Sequence, residues 1–107
     1  MDIERIRGKI RVRQYEISFT HTEKLRRRRL GLGLLEQAIL NGEIIERYPN
    51  DPRGPSCLVF GSTEEGHPIH IVCANLEDAR LLIVTAYEPN PDEWKQDWRT
   101  RKKGTAQ

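Results

Sequence analysis

The spacing of apolar residues changes along the chain, from a helical period near the start to the period of strands after residue 42. Ile3, Ile6 and Ile10 recur at intervals of three and four residues, which predicts an amphipathic helix over residues 2–13. A capping-box pattern, Thr20 with Glu23, predicts a second helix from about residue 21. A third helix, closed by an Asn-Gly pair at 41–42, is predicted from four further apolar residues: Leu34, Leu35, Ala38 and Ile39.

Four strands are predicted after the helices, because short apolar runs there alternate with turn-forming residues. The runs are EIIERY (43–48), SCLVFG (56–61), HPIHIVCA (67–74) and RLLIVTAYE (80–88). Their short connections predict an antiparallel meander. The last two runs are apolar on both faces at their centres, so they are expected in the middle of the sheet. The predicted fold class is therefore α+β, with N-terminal helices packed on a four-stranded antiparallel sheet.

The end of the chain is predicted to form one more short helix and then a tail. Pro91 suits the first position of a helix, and Trp94 and Trp98 would lie on one face of it. A chain of 107 residues has the length of one ordinary domain. We therefore expect a single α+β domain over residues 1–98 and a basic, disordered tail over residues 99–107.

Charge is unevenly distributed, although the formal net charge is only +2. Residues 1–33 carry ten Lys or Arg against four Asp or Glu, which makes +6; residues 34–98 carry four against twelve, which makes −8. The last nine residues carry four basic side chains and no acidic one, which makes +4. Such segregation suits a polyanion bound by one face, and it equally suits a charged protein partner or a merely solvated surface.

No apolar run is long enough for a membrane span, and no signal-peptide core follows the charged N-terminus. Cys57 and Cys73 lie inside apolar runs, where free cysteine behaves as a small hydrophobic residue. These features favour the cytoplasm of a prokaryote, with reduced thiols and no membrane partner.

The basic stretch FTHTEKLRRRRLGLG contains the best candidates for chemistry. On a helix, His21, Lys24 and Arg28 fall on one stripe, with Arg29 on the neighbouring one. An imidazole could take the proton of an RNA 2′-hydroxyl while the cations stabilise the charge on phosphorus. Arg26 and Arg27 would hold backbone phosphates. In the alternative interpretation, His21 only extends the helix cap and the arginines pair with the acidic middle of the chain.

The strands add three weaker candidates. His70 alternates with apolar neighbours, so it is either a buried structural histidine or a second catalytic imidazole. Tyr87 and Arg80 lie on or beside the last strand, on opposite faces, and the Tyr87 hydroxyl either orients a phosphate or belongs to an ordinary packing residue. The spacing of His67, His70 and Cys73 is a poor zinc pattern, because residues three apart on a strand point to opposite faces. No metal and no cofactor are expected.

Several sequence blocks together resemble the domain of unknown function 4258 family of small bacterial proteins. They are the N-terminal helix, YEISFTH, the arginine-bearing helix, LLEQAILNGEIIERYPNDPRGPSCLVFG, HPIHIVCA and LLIVTAYEPNPDEW, and the resemblance runs from about residue 3 to residue 98. This family is similar to toxins of the RelE, ParE and MqsR type. The resemblance implies a RelE/barnase-like fold, a metal-independent RNA endonuclease that is ribosome-dependent or free, and an antitoxin partner with a YgiT-type zinc finger. The family-like positions are His21, Arg28 or Arg29, His70 and Tyr87.

The leading hypothesis is therefore an endoribonuclease toxin of a type II toxin–antitoxin system, cutting RNA through its 2′-hydroxyl. Two alternatives keep the same fold. One is a non-catalytic module that binds nucleic acid or an acidic partner through residues 5–29, and the other is an antitoxin-binding scaffold without activity. The candidate catalytic residues are His21, Lys24, Arg28, Arg29, His70 and Tyr87, and the candidate RNA-binding residues are Arg26, Arg27 and Arg80.

Overall fold

A computed structural model describes residues 1–102, apart from the side chains of residues 19–22. The side chain of His21, and residues 103–107 of the predicted tail, lie outside the described residues. Within the described part, the chain forms three helices and a five-stranded sheet. None of these helices has the length and apolar character needed to cross a membrane.

The first helix, α1 (Ile3–Arg11), follows the predicted isoleucine pattern. Its first turn is capped by Asp2, whose carboxylate accepts a hydrogen bond of 2.9 Å from the backbone N–H of Glu4. Ile6 and Ile10 are buried against the rest of the protein. The helix ends two residues earlier than predicted, because Arg13 has a φ of 56°, a left-handed conformation that interrupts a right-handed helix.

The second helix, α2 (Phe19–Arg27), begins two residues before the predicted start. Its N-cap residue is Ser18 and not Thr20, which the capping-box pattern predicts. It ends where Arg29 turns left-handed, with a φ of 58°. The third helix, α3 (Leu32–Leu40), ends at Asn41 as predicted. The arginine run is therefore divided: two arginines belong to the helix and two to the turn that follows it.

The sheet has five strands, and the prediction of four was wrong on this point. Its strands are β1 (Tyr15–Ile17), β2 (Glu43–Tyr48), β3 (Ser56–Ser62), β4 (Pro68–Ala74) and β5 (Leu81–Tyr87). They lie in the order β1-β5-β4-β3-β2, with β1 parallel to β5 and every other pair antiparallel. The sheet is therefore mixed. The four predicted strands are confirmed, and β4 and β5 are interior strands as expected.

The three-residue strand β1 escaped prediction because it is too short to show an alternating pattern. It is stabilised by pairing with β5, more than sixty residues later, where Tyr15 lies opposite Leu81 and Ile17 opposite Ile83. Such long-range backbone pairing leaves no local signal in the sequence.

One face of the sheet is covered by the helices, and the main core lies between the helices and the sheet. Fully buried side chains from both layers meet there, among them Ile6, Leu35, Ile39, Val59 and Ile71. The approach is closest between α3 and β3, where a Cβ on Gly61 would lie 1.8 Å from the backbone oxygen of Ala38. Only glycine permits the helix and the strand to pack at this distance.

The other face of the sheet is covered by residues 88–102, which we call the C-terminal segment. The predicted helix at Pro91 was wrong: the segment forms turns and a short antiparallel bridge between Trp94 and Arg101. The side chain and backbone oxygens of Asn90 accept backbone hydrogen bonds that form the first turn, and Trp98 has a φ of 60°. The segment folds back because Trp94, 2% exposed, is buried against the sheet.

The predicted tail was to begin at residue 99, yet residues 99–102 form specific contacts. The backbone N–H of Lys102 donates to the oxygen of Glu93 at 2.9 Å, and Arg99 forms a salt bridge with Glu43 of β2. The described part of the tail is thus a component of the domain.

Candidate functional site

A cluster of aromatic rings surrounds His70 on the face of the sheet that the C-terminal segment covers. The ring centre of Trp94 lies 4.5 Å from that of the imidazole, with the two planes at 87°. Tyr87 and Phe60 approach from the neighbouring strands, with ring centres at 5.4 Å and 5.8 Å. The side chain of His70 is fully buried. A group in this position cannot contact a bound phosphate directly, so the proposed role of His70 in proton transfer to RNA does not fit the structure.

The protonation state of His70 follows from its hydrogen bond. Nε2 lies 2.8 Å from the carbonyl oxygen of Trp98, and a carbonyl only accepts, so Nε2 carries the proton and donates. Nδ1 is buried and has no hydrogen-bond partner in the described part of the chain. Burial lowers the pKa of His70, although the bond to Trp98 and the charge of Glu46 oppose the shift. The imidazole is therefore neutral at pH 7 and holds the C-terminal segment on the sheet.

Tyr87, at the end of β5, lies between two clefts. The first has a volume of about 400 Å³ and is lined by Arg28, Tyr87 and Glu88; we call it the Arg28 cleft. The second, of about 290 Å³, is also lined by Tyr87 and Glu88, and contains Arg101 and Trp94; we call it the Arg101 cleft. One phenol ring thus borders two cavities, each with a guanidinium group in its wall.

Arg28 reaches its cleft because the end of α2 lies over the end of β5. Its Nη1 donates a hydrogen bond of 2.7 Å to the carbonyl oxygen of Ala86, the residue before Tyr87. Arg28 is the C-cap residue of α2, at the negative end of the helix dipole, where a cation is favourable. This side chain links the helix end to the strand end, and within the described residues the other nitrogens of its guanidinium group have no hydrogen-bond partner.

The environment of Tyr87 keeps its hydroxyl protonated. Burial raises the pKa of Tyr87, and the carboxylates of Glu46 and Glu93 act in the same direction. Arg101 and Arg28 lower this pKa, but not enough to reverse the shift. At neutral pH the phenol is a hydrogen-bond donor and a proton source, and it is unsuited to act as a base.

Arg101 is held on the opposite side of Tyr87 by a salt bridge to β2. Its Nε and Nη2 donate to the two carboxylate oxygens of Glu46 at 2.8 and 3.0 Å, and Tyr48 donates to the same carboxylate. Its guanidinium group stacks over the ring of Trp94, 4.6 Å from the centroid. Burial raises the pKa of Glu46, but the hydrogen bonds from Arg101 and Tyr48 outweigh it, so this pKa lies below its usual range.

The sequence analysis missed Glu46, Tyr48 and Arg101. The only local signal was that Glu46 and Tyr48 are two apart on a strand and so share a face. The sequence predicts a disordered tail at Arg101, and the partner of Arg101, Glu46, lies fifty-five residues earlier in the chain. No spacing rule in the sequence could have connected them.

The remaining basic candidates lie around the end of α2. Lys24, Arg27 and Arg29 are exposed, and none of them forms a salt bridge with any side chain that the structure describes. Arg26 lies 3.6 Å from Glu23, one turn earlier on the helix. The backbone of His21 belongs to the first turn of α2, and its side chain lies outside the described residues.

Arg80 is separated from this group. It precedes β5, whereas Tyr87 ends the strand, and seven residues of strand span about 20 Å. Its Nη1 donates to the backbone oxygen of Tyr15 at 3.3 Å, on the edge strand β1. The structure thus brings together Arg28 and Tyr87, with His70 buried beneath, but places Arg80 at the other end of the sheet.

The His67, His70, Cys73 pattern does not converge. His67 is exposed before β4, His70 faces the C-terminal segment, and Cys73 is buried in the core on the helix side. Among the residues that the structure describes, no three His, Cys, Asp or Glu side chains come together as a metal site requires.

A comparison with protein-family models gives one match, to the Domain of unknown function (DUF4258), over residues 21–88. No curated protein and no solved structure matches the chain. The matched range begins inside α2 and ends one residue after Tyr87, so it includes Arg28, Glu46, His70 and Tyr87 but leaves out most of the C-terminal segment. Because the match covers well over half of the 107 residues, the chain belongs to the DUF4258 family.

Proposed function

We propose that this protein is an endoribonuclease toxin of a type II toxin–antitoxin system. In this proposal it cleaves RNA without a metal ion, and the attacking group is the 2′-hydroxyl of the RNA. The observation that supports it is the meeting of Arg28 and Tyr87 in one cleft at the basic end of α2. A cation and a protonated phenol side by side are suited to a phosphodiester, since one binds the charged oxygens and the other can protonate the leaving oxygen.

In the proposed reaction the 2′-oxygen attacks phosphorus and the bond from phosphorus to the 5′-oxygen breaks. The products are a 2′,3′-cyclic phosphate and a free 5′-hydroxyl. Arg28 would bind the non-bridging oxygens as negative charge develops on them. Tyr87, whose hydroxyl is protonated at neutral pH, would donate its proton to the departing 5′-oxygen. His21 is the proposed base for the 2′-hydroxyl proton.

The surface around the Arg28 cleft suits the rest of an RNA strand. Lys24, Arg27 and Arg29 are exposed and free of salt bridges within the described residues, so their charges are available for backbone phosphates. Arg26, paired loosely with Glu23, would add a weaker contact. We do not assign Arg80 to this surface, because it lies at the far end of β5.

The proposed partners follow from the similarity of this family to toxins of the RelE, ParE and MqsR type, and a RelE/barnase-like fold is part of the proposal. Three N-terminal helices and a largely antiparallel sheet are consistent with it. The RNA would be cut free or on the ribosome. A cognate antitoxin, with a YgiT-type zinc finger as the candidate kind, would cover the basic surface and block access to the Arg28 cleft.

The decisive experiment measures RNA cleavage in a chelating buffer by the wild type and four variants: Tyr87→Phe, Arg28→Gln, His21→Ala and Arg80→Gln. Removal of a proton-transfer group costs about 10²- to 10⁴-fold in rate, and removal of a charge-stabilising donor about 10²- to 10³-fold. The first three variants should fall in these ranges. Arg80→Gln is the matched control for Arg28→Gln and should cleave like the wild type.

Equal cleavage by Tyr87→Phe, Arg28→Gln and the wild type would contradict the proposal, and so would a wild type that leaves all RNA intact, including RNA on ribosomes. Detection of a 2′,3′-cyclic phosphate on the product would support the mechanism. A product with a 3′-hydroxyl would exclude attack by the 2′-oxygen.

A second candidate function is a nucleic-acid-binding module without catalysis. It is favoured by the burial of His70, because no histidine of the described residues then lines the clefts beside Arg28 and Arg101. Such a module would bind RNA with a logarithmic salt slope of roughly one unit per phosphate contact and release no cleaved product. An inactive antitoxin-binding scaffold would show neither RNA binding nor cleavage.

A further inference from the structure

We propose that Arg101, in the C-terminal segment, is a second phosphate-binding residue, which contacts a phosphate of the bound RNA in the Arg101 cleft, on the side of Tyr87 opposite Arg28. The segment that follows the family match would thereby complete the site. This inference rests on the proposed function for the identity of the ligand as RNA, but a phosphate-binding site at Arg101 can be tested independently of any cleavage.

The position of Arg101 relative to Tyr87 is the main argument. The Arg28 cleft and the Arg101 cleft share two wall residues, Tyr87 and Glu88, so the two clefts adjoin at Tyr87 and each has one guanidinium group in its wall. Both arginines act on the pKa of Tyr87 in the same direction, which places both charges within electrostatic reach of its hydroxyl.

Arg101 is also oriented in a way that leaves part of it available. Glu46 accepts from Nε and Nη2, and a side-chain hydrogen bond with Tyr48 also acts on Arg101, so these partners use part of its N–H donors. The Trp94 ring fixes the plane of the guanidinium group, and 22% of the side chain is exposed. A guanidinium has five N–H donors, so Arg101 can bind a phosphate oxygen without releasing Glu46. Glu46 and Trp94 are positioning residues in this arrangement.

A second positive charge would favour the reaction. A phosphorane carries more negative charge than the phosphodiester from which it forms, and the carboxylates of Glu46, Glu88 and Glu93 already lie near Tyr87. One guanidinium group would be partly offset by these neighbours. A second guanidinium group in the adjoining cleft would offset part of the remaining negative charge.

Arg99 provides a matched control within the same segment. Like Arg101, it forms a salt bridge with a β2 carboxylate, Glu43, and it lies over an aromatic ring, that of Phe60, at 4.9 Å. It lines a different cleft, of about 510 Å³, whose wall does not include Tyr87. Arg99→Gln therefore removes the same kinds of contact from the C-terminal segment without touching the proposed phosphate site.

The first experiment follows the side-chain Nε–Hε resonances of the wild-type protein by NMR during titration with inorganic phosphate. The Arg101 and Arg28 resonances should shift together and saturate, and the Arg99 resonance should stay in place. This measurement needs no variant, so a loss of folding on substitution cannot obscure it. An unchanged Arg101 resonance up to high phosphate concentration would overturn the inference.

The second experiment compares Arg101→Gln with Arg99→Gln, using binding and cleavage of a single-stranded RNA oligonucleotide. Arg101→Gln should weaken RNA binding about 10- to 100-fold and reduce the salt slope by about one unit, as expected for the loss of one charged phosphate contact. Arg99→Gln should bind RNA within about 3-fold of the wild type, as expected for a side chain outside the interface. Equal losses in the two variants would show that both arginines act only by holding the segment, and would overturn the inference.

The two proposals can fail separately. If phosphate shifts the Arg101 resonance and RNA binds but is never cut, the phosphate site is supported and the endoribonuclease is rejected. If RNA is cut by the wild type and by Arg101→Gln at the same rate, the endoribonuclease is supported and the role of Arg101 is rejected.

Discussion

The Nε2 atom of His70 donates a hydrogen bond of 2.8 Å to the carbonyl oxygen of Trp98 and so joins the central strand to the C-terminal segment. The bond forms among aromatic rings, of which those of His70 and Trp94 are buried and those of Tyr87 and Phe60 are partly buried. Protonation of the ring would place a charge there without a partner for Nδ1. The attachment of the segment therefore depends on a neutral histidine.

We predict that the protein loses stability as the pH falls from 7.5 to 5. The pKa of His70 is lowered in the folded state, so the unfolded chain binds a proton in this window that the folded chain does not. The free energy of unfolding should then fall by at most about 1.4 kcal/mol per pH unit for this one group. Urea unfolding at several pH values, kept above the range in which carboxylates titrate, would measure the slope.

The source of that slope can be identified with two variants. His70→Gln retains a donor for the Trp98 carbonyl but does not titrate, and it should remove most of the pH dependence between 7.5 and 5. The matched control is His67→Gln, since His67 is exposed before β4. If His67→Gln flattened the slope and His70→Gln did not, the assignment to the buried imidazole would be wrong.

The two salt bridges between β2 and the C-terminal segment should contribute unequally to stability. Glu46 and Arg101 are 18% and 22% exposed, whereas Glu43 and Arg99 are about half exposed. Glu46→Gln should reduce the free energy of unfolding by about 1–3 kcal/mol, because a partly buried guanidinium loses its charged partner. Glu43→Gln should cost less than about 1 kcal/mol. Chemical unfolding of both variants would measure the difference, and equal effects would contradict it.

Two glycine-to-alanine substitutions should have opposite effects. Gly61→Ala would force a methyl group into the backbone of Ala38 and should destabilise the protein by about 3 kcal/mol or more. Gly8→Ala lies inside α1, where a Cβ meets nothing within 4 Å, and should stabilise the protein by about 0.5–1 kcal/mol. Thermal and urea unfolding would show the signs. A neutral Gly61→Ala would mean that α3 and β3 are not packed as closely as described.

The cysteines should be unreactive in the native protein. Cys57 and Cys73 lie opposite each other on β3 and β4, and both are fully buried as free thiols. Burial raises the pKa of Cys57 to about 11 and that of Cys73 well above its usual value, so almost no thiolate forms at pH 8. A thiol-reactive dye should label neither residue until denaturant is added. Labelling at the rate of a free cysteine in the native state would contradict this burial.

Most of the fold could be predicted from local patterns. The isoleucines at 3, 6 and 10 identified α1, and the apolar runs identified β2 to β5 within about two residues at each end. A regular spacing of apolar residues appears where the burial of each residue is set by its position in its own helix or strand. The pattern failed at Trp94 and Trp98, whose separation of four suits a helix but which lie in a chain that folds back on the sheet.

Only some residues of the candidate site could be predicted from the sequence. The sequence by itself, with the family resemblance, named Arg28 and Tyr87 among six catalytic candidates and left open whether Arg28 or Arg29 takes part. Only the tertiary structure buried His70 beneath Trp94, joined Arg101 to Glu46 across fifty-five residues, and separated Arg80 from Tyr87 by the length of a strand. The physical reason is that the apolar pattern of each helix or strand depends on residues close together in the sequence. Contacts between elements depend instead on the order of the strands in the sheet and on where the chain after β5 returns to cover it.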